Sequence, residues 1–366
     1  MTLEILTVVG ARPNFMKAAP VHETLAREAG VVSRIVHTGQ HYDNELSDVF
    51  FEELGLPEPH VHLGVGSGTH AGQTARIMLA FEEVLAGEAP DALLVVGDVN
   101  STLACALVAA KMGVPVGHVE AGLRSFDDRM PEEINRRLTD QLSRWLFVTE
   151  QSGVDNLRRE GHPEERIHFV GNVMIDSLKR CRGRARDRGT QERLGLTGES
   201  YVLVTMHRPV NVDERPALTE TVRTIEVIAA DTTVVFPIHP RTRERLVSHG
   251  LRERLDTIEG LRVLDPLGYL DFLNLLEGAA VVVTDSGGIQ EETTFLGVPC
   301  LTVRESTERP VTVEIGTNRL VTLDAGEIAA AVREMVDSRD VASGRIPPRW
   351  DGRAAERIVR VLLESL

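Results

Sequence analysis

The sequence has few aromatic residues and few cysteines, and it contains no long apolar run. Phe, Trp and Tyr make up 4% of the 366 residues, so aliphatic side chains must supply most of the core. Cys105, Cys181 and Cys300 have neither the number nor the spacing of a disulfide framework or a zinc site. They are typical of reduced thiols in a cytoplasmic protein. Since no run reaches the ~18 apolar residues of a spanning helix, we expect no membrane span.

The chain also lacks a basic excess. Its formal net charge is −15 and its pI is near 5.3, which argues against a nucleic-acid partner because such a partner needs a basic face. A few cations and helix N-termini can still bind a small anion. Residues 1–10 have no basic leader and read as a strand, so we expect no signal peptide.

Short aliphatic runs alternate with helix-like segments along the chain. This pattern predicts an α/β protein with parallel sheets covered on both faces, and it places functional side chains in the loops after the strands. The predicted strands are 4–9, 32–37, 92–96, 116–119, 145–148, 167–170, 201–205, 233–238, 261–264, 280–284, 300–303 and 319–321.

The length of the chain and one turn suggest two domains. We predict a Rossmann-like N-terminal domain at 1–170, joined by a C-terminal helix at about 351–366, and a second Rossmann-like domain at 171–350. A basic stretch at 179–194 follows the boundary and is typical of a solvated helix face.

The turn after the first strand has the features of an anion site. It contains Gly10 at a tight turn, a helix start, Arg12 and Lys17. It lacks the GxGxxG pattern of nicotinamide-binding proteins. A plain strand–helix turn with surface cations would explain the same residues.

Three carboxylates lie in loops or helix starts of the first half. Asp98 follows one buried strand, Glu120 ends the next, and Glu132 opens a helix four residues before Arg136. Such a set suits proton removal and return at carbon. Asp98 as a helix cap, and Glu132 as a residue favoured by the helix dipole, are the structural alternatives.

Two histidines and a glycine turn mark the second half. His207 and His239 each follow a strand, and they have no nearby His or Cys that would favour zinc. Contact with a phosphate or a leaving oxygen suits them better. Ser286, Gly287 and Gly288 open a helix and predict a diphosphate site, with Glu292 positioned to accept ribose hydroxyls.

Taken together, these segments resemble the non-hydrolysing UDP-N-acetylglucosamine 2-epimerases. The matching segments, in order, are GARPNFMKAAP, TGQHYD, GDVNSTLA, HVEAGLRSFD, MPEEINRRLTD, GNVMIDSL, TMHRP, PIHPRT, TDSGGIQEE and RESTERP. The resemblance implies two Rossmann-like domains facing a central cleft, as in GT-B glycosyltransferases, with the C-terminal helix crossing back to the first domain. It also implies a homodimer, no metal and no other cofactor.

The family's reaction removes the C2 proton, eliminates UDP to a 2-acetamidoglucal and re-adds it, which converts UDP-N-acetylglucosamine to UDP-N-acetylmannosamine for surface polysaccharide. By resemblance, the acid–base candidates are Asp98, Glu120 and Glu132, and His207 lies beside the leaving diphosphate. The residues implied to hold UDP or the sugar are Arg12, Lys17, Arg136, His239, Ser286, Gly287, Gly288, Glu292 and Arg309.

The chain departs from the family pattern at two places. Many members have HRRE where this chain has His207-Arg208-Pro209-Val210. A candidate activator site keeps Gln40 and His41, but residues 66–73 do not supply the expected Arg. A hydrolysing 2-epimerase that releases N-acetylmannosamine, a GT-B glycosyltransferase and a non-enzymatic nucleotide-sugar sensor are the competing functions.

Overall fold

A computed structural model describes residues 2–40, 53–337 and 345–366, apart from the side chain of Arg12. The contacts divide the chain into a first unit, Met1–Arg180 with Pro348–Leu366, and a second unit, Cys181–Pro347. This division falls inside the helix Val173–Asp187. The boundary predicted after residue 170 lies in the turn before that helix.

The first unit contains a parallel sheet of seven strands in the order β3-β2-β1-β4-β5-β6-β7. The strands are β1 (Leu3–Val9), β2 (Val31–His37), β3 (Val61–His62), β4 (Ala92–Val96), β5 (Val116–Ala121), β6 (Trp145–Val148) and β7 (Ile167–Phe169). The helices are α1 (Arg12–Ala26), α2 (His70–Gly87), α3 (Asn100–Lys111), α4 (Pro131–Leu142), α5 (Gln151–Arg159) and α6 (Val173–Asp187), with a 3-10 turn at Glu164–Arg166.

The second unit contains a parallel sheet of six strands in the order β10-β9-β8-β11-β12-β13. The strands are β8 (Tyr201–Thr205), β9 (Thr233–Pro237), β10 (Leu261–Leu264), β11 (Val281–Thr284), β12 (Cys300–Val303) and β13 (Asn318–Val321). The helices are α7 (Thr190–Arg193), α8 (Pro209–Val212), α9 (Arg215–Ala229), α10 (Pro240–Ser248), α11 (Arg252–Asp256), α12 (Tyr269–Gly278), α13 (Gly287–Leu296), α14 (Pro310–Glu314) and α15 (Ala325–Asp337).

The central strands explain why the sheets form. Every residue of β4 and β11 is buried, as expected for strands covered by helices on both faces. In each sheet the strand order reverses beside the first strand, between β1 and β4 and between β8 and β11. Open α/β sheets bind ligands at the carboxyl end of such a reversal. Each unit therefore has one favoured ligand position.

The last helix, α16 (Ala354–Ser365), belongs to the first unit and packs against α1. Its first backbone N–H groups are bound by Asp176, whose carboxylate accepts from Ala355 N at 2.9 Å and from Ala354 N at 3.2 Å. The predicted return of the C-terminal helix to the first domain is confirmed. The two Rossmann-like folds are also confirmed, whereas the cleft stays a prediction.

Among the residues that the structure describes, no helix combines the length and the apolar character that crossing a membrane requires.

Candidate active site

The turn after β1 is held against the end of β4 by one buried amide. The Asn14 side chain accepts from Ala11 N at 3.0 Å and donates to Val96 O at 2.8 Å. Arg12 is the first residue of α1, and its side chain lies outside the described part. The structure thus positions the predicted turn at the strand reversal without describing the arginine head group.

Lys17 and Glu120 form a buried ion pair beside this turn. Lys17 Nζ contacts Glu120 Oε2, and the two residues are 7% and 6% exposed. A Cβ added to Gly97 would lie 3.3 Å from Glu120 Oε2 and 3.8 Å from Lys17 Nζ. Gly97 immediately precedes Asp98, so the pair borders the loop that carries the first candidate carboxylate.

Asp98 and Glu132 both line one cavity of about 270 Å³ in the first unit. Gln40 lines the same cavity, and its Oε1 accepts from Ser101 Oγ at 2.7 Å. His41, the other candidate activator residue, lies outside the described residues. The other residues that line the cavity are Ser67, Gly68, His70, Gln73, Val99, Asn100, Pro131 and Asn135.

Arg136 holds Asp98 in place. Its Nη2 donates to Asp98 Oδ2 at 2.7 Å, while its Nη1 contacts Glu133. Burial alone would raise the pKa of Glu133, but hydrogen bonds from Ser125 and the charge of Arg136 outweigh it and lower that pKa. The two adjacent glutamates therefore differ: Glu133 is a buried anchor for Arg136, and Glu132 faces the cavity.

In the second unit, Asp285 orients His207. Asp285 is fully buried, its Oδ1 lies 2.9 Å from His207 Nδ1, and its Oδ2 accepts from Arg208 N at 2.8 Å and from Asn211 Nδ2 at 3.1 Å. Burial would raise the pKa of Asp285, but His207 and these donors lower it. Pro209, where the family commonly has Arg, begins α8 at a position that suits proline.

His239 lies next to His207, with ring centroids 5.2 Å apart. It precedes α10, and its Nδ1 accepts from Arg241 N at 3.2 Å. The structure thus brings the two predicted histidines together at the carboxyl ends of β8 and β9.

The Ser286-Gly287-Gly288 turn opens α13 beside a cluster of charged side chains. A Cβ on Gly287 would lie 2.9 Å from Glu308 Oε1, 3.4 Å from Arg309 Nη1 and 3.9 Å from Arg304 Nη1. Burial opposes ionisation of Glu308, yet Arg309 and Arg304 hold its pKa well below the usual range. Backbone N–H groups and two arginines at one helix start suit a phosphate.

Glu292 lies farther along α13 and is 4% exposed. Tyr269 Oη donates to Glu292 Oε1 at 2.8 Å. Burial raises the pKa of Glu292 to about 7; the Tyr269 hydrogen bond opposes this shift, and the neighbouring Glu291 adds to it. Its predicted contact with ribose stays a prediction.

Sequence reasoning missed four residues with clear positions in these sites: Asn14, Tyr269, Asp285 and Arg304. Asn14, Asp285 and Arg304 lie inside the quoted segments GARPNFMKAAP, TDSGGIQEE and RESTERP, so the segments were visible in the sequence but the contacts of these residues were not. Among the described residues, no cluster of three or more His, Cys, Asp or Glu side chains could hold a metal ion.

Two Rossmann-like units, one with a carboxylate-lined cavity and one with a helix start flanked by arginines, define an α/β protein built for an anionic, nucleotide-like ligand. A family model described as UDP-N-acetylglucosamine 2-epimerase matches residues 23–363. The chain belongs to this family.

Two relatives are equally similar in sequence. The UDP-N-acetylglucosamine 2-epimerase of Methanocaldococcus jannaschii is 41% identical over 98% of this chain and 99% of its own. The UDP-2,3-diacetamido-2,3-dideoxy-D-glucuronate 2-epimerase of Pseudomonas aeruginosa is also 41% identical, over 98% and 99%. The crystal structure of the Methanocaldococcus jannaschii enzyme with UDP-GlcNAc and UDP superimposes with a TM-score of 0.91, covering 99% of this chain and 100% of that chain.

Proposed function

We propose that this protein interconverts UDP-N-acetylglucosamine and UDP-N-acetylmannosamine by reversible elimination and re-addition of UDP, without net hydrolysis. The observation that carries the proposal is the cavity of the first unit. It presents Asp98 and Glu132 and lies beside the loop that adjoins the buried Lys17–Glu120 pair. Carboxylates held at hydrogen-bonding positions can remove and return a proton.

In the first step, a carboxylate takes the C2 proton. The C2–H electron pair forms the C1–C2 double bond, and the C1–O bond breaks as UDP leaves. The products are 2-acetamidoglucal and UDP. For the C2 epimer to form, a proton must be delivered to the opposite face of C2, so the reaction needs acid–base groups on both faces. Asp98, Glu120 and Glu132 are the candidates for these two roles.

When the C1–O bond breaks, negative charge develops on the β-phosphate of the departing UDP. The second unit supplies groups that favour this charge: His207, oriented by Asp285, the N–H groups at the start of α13, and Arg309. In the reverse direction, C2 accepts a proton, the developing positive charge at C1 is captured by the phosphate oxygen, and the C1–O bond forms again.

The test is incubation with UDP-N-acetylglucosamine in deuterated water. We expect deuterium at C2 and an equilibrium mixture of both epimers as their UDP conjugates. Glu120→Gln and Glu132→Gln, checked for folding by circular dichroism, should each lose the exchange. Irreversible release of UDP with free N-acetylmannosamine would identify a hydrolysing enzyme, and transfer of the sugar to an added acceptor would identify a glycosyltransferase.

A second substrate is favoured by one observation, the equal identity of the Pseudomonas aeruginosa UDP-2,3-diacetamido-2,3-dideoxy-D-glucuronate 2-epimerase. The chemistry at C2 is the same for both sugars. A comparison of kcat/KM for the two UDP-sugars decides between them, because the preferred substrate has the larger value.

We also propose, from the family resemblance, that the protein acts as a cytoplasmic homodimer whose product enters surface polysaccharide. Light scattering coupled to gel filtration measures the mass directly. Sigmoidal dependence of rate on substrate would support the candidate activator site at Gln40 and His41, and a hyperbolic dependence would count against it.

A further inference from the structure

Glu120 lies in a strained backbone conformation. Its φ is 80°, in the left-handed region, and the register between β5 and β6 shifts at this residue, between Val119 and Ala121. For a residue with a side chain, such a conformation costs ~1–3 kcal/mol and persists only when its surroundings enforce it. The bulge re-aims the Glu120 side chain towards Lys17.

One buried carboxylate, Asp140 of α4, binds the backbone segment on both sides of Glu120. Two residues before it, His118 Nδ1 donates to Asp140 Oδ1 at 2.6 Å. Two residues after it, Gly122 N donates to Asp140 Oδ2 at 3.2 Å. These two hydrogen bonds restrain both ends of the bulge, and they explain how the strained conformation is enforced.

The same network reaches the loop that carries Asp98. His118 Nε2 lies 2.8 Å from the carbonyl oxygen of Gly97, the residue before Asp98. The two ring nitrogens of His118 thus bridge Asp140 and the Gly97 carbonyl. Gly97 N also donates to Val119 O at 3.0 Å. The end of β5 and the loop after β4 are therefore joined directly beside Glu120 and Asp98.

The charge of Asp140 is balanced inside the unit. Arg124 Nη2 donates to Asp140 Oδ2 at 2.7 Å, and the same guanidinium contacts Glu160 through Nε at 2.8 Å. Burial would raise the pKa of Asp140, but His118 and Arg124 lower it. His118 and Asp140 are both fully buried, so neither reaches a ligand.

We propose that Asp140 is a positioning residue for proton transfer: it holds Glu120 in its left-handed conformation and, through His118, fixes the Gly97–Asp98 peptide. The spacing of two acid–base carboxylates is thus set by one group that does not touch the substrate. This inference rests on the proposed epimerase function.

The test compares Asp140→Asn with Glu160→Gln in the full-length protein. Asn keeps the shape of Asp140 but replaces one acceptor oxygen by a donor, so it cannot hold both ends of the bulge. Because small misplacements of a catalytic group cost ~100-fold in rate, kcat for C2 exchange should fall by about this factor. KM should stay within ~3-fold, since a carboxylate that acts only in proton transfer adds little to substrate binding.

Glu160→Gln is the matched control, because it weakens the same arginine from the outer side and leaves every Asp140 contact in place. We expect its kcat to stay within ~2-fold of wild type even where its melting temperature falls, because a partly exposed ion pair contributes little energy and every contact of the bulge is kept. UDP binding, measured by calorimetry, should be unchanged in both variants because neither substitution touches the predicted diphosphate site at Ser286, Gly287 and Gly288.

The inference is overturned if Asp140→Asn retains kcat within ~3-fold of wild type, or if Glu160→Gln loses as much kcat as Asp140→Asn. Should Asp140→Asn not fold, His118→Gln tests the link to Gly97 alone and should lower kcat ~10-fold; if it keeps full kcat or also fails to fold, the network is structural and the proposal is wrong. A wild-type protein without C2 exchange would instead refute the proposed function.

Discussion

His207 Nδ1 lies 2.9 Å from Oδ1 of the fully buried Asp285, and this contact fixes which face of the imidazole is left for a ligand. Since Asp285 accepts from Nδ1, the Nε2 atom is the one available to a phosphate oxygen. The arrangement matches the general use of a carboxylate to orient a histidine at a reacting centre.

Asp285→Asn should therefore lower kcat for epimerisation by ~100-fold, because a well-placed proton donor typically contributes a rate factor of at least this size. The effect on KM should be smaller. The tautomer of His207, read from its ring 15N shifts, should change as well. Asn211→Ala is the control, because it removes another donor to Asp285 without touching His207. If both variants lose the same activity, Asp285 serves only the fold of this loop.

Removing one partner of the buried Lys17–Glu120 ion pair should destabilise the folded protein. Lys17→Met leaves a buried carboxylate without its cation and should lower the free energy of unfolding by ~3 kcal/mol or more. Adding Glu120→Gln to Lys17→Met should recover most of that loss, because neither charge of the pair then remains. Urea unfolding of the two single variants and the double variant measures the coupling, and simple additivity would contradict it.

Glu292 should make stability depend on pH. Its pKa is about 7 in the folded protein, above the ordinary value of 4.5, so the folded state holds a proton that the unfolded state has lost between these pH values. The linkage relation then lowers stability as pH rises from about 4.5 to about 7, with no further change above.

Glu292→Gln removes this penalty while it preserves an acceptor for Tyr269. At pH 8 the variant should have a higher melting temperature than wild type, and its free energy of unfolding should be larger by ~1–3 kcal/mol. Near pH 4.5 the two proteins should have equal stability. If Glu292 also accepts the ribose hydroxyls, the same variant should bind UDP more weakly. A wild-type advantage in stability at pH 8 would show that the carboxylate is better solvated than its burial indicates.

Gly287 and Gly288 should respond differently to a methyl group. A Cβ on Gly287 would lie 2.9 Å from Glu308 Oε1, whereas a Cβ on Gly288 would meet nothing within 4 Å. Gly287→Ala should displace Glu308 and its arginines, lowering both the melting temperature and the affinity for UDP. Gly288→Ala should keep or raise the melting temperature, because Ala favours helix. Equal melting temperatures would contradict this packing.

The sequence patterns predicted the sheets well because buried parallel strands form continuous aliphatic runs. Each predicted run corresponds to a strand of the structure, and β3 was missed because it has only two residues. The carboxylate loops were found for the same reason, since strand ends are visible in sequence. Which polar residue contacts which was not predictable: His118 and Asp140 are far apart in the chain, and their contact depends on how α4 packs beside β5.

The same limit applies to the strained residue. Nothing in the motif HVEAG distinguishes Glu120 as left-handed, because glutamate has no preference for that region; the conformation follows from the bulge and from hydrogen bonds made by distant residues. The difference between Glu132 and Glu133 was equally hidden, since both suit the first turn of a helix.

Helix α4 bears Glu132, Arg136 and Asp140 at intervals of four residues, so each lies about one turn from the next. Deleting a single residue between any two of them would rotate one part of this row by ~100° relative to the other. The length of this helix is thus more tightly constrained than the identity of its exposed residues, because substitutions on the exposed side leave the row intact. The loss of one residue would instead move Glu132 away from Arg136 and Asp140, the two residues that align Asp98 and Glu120.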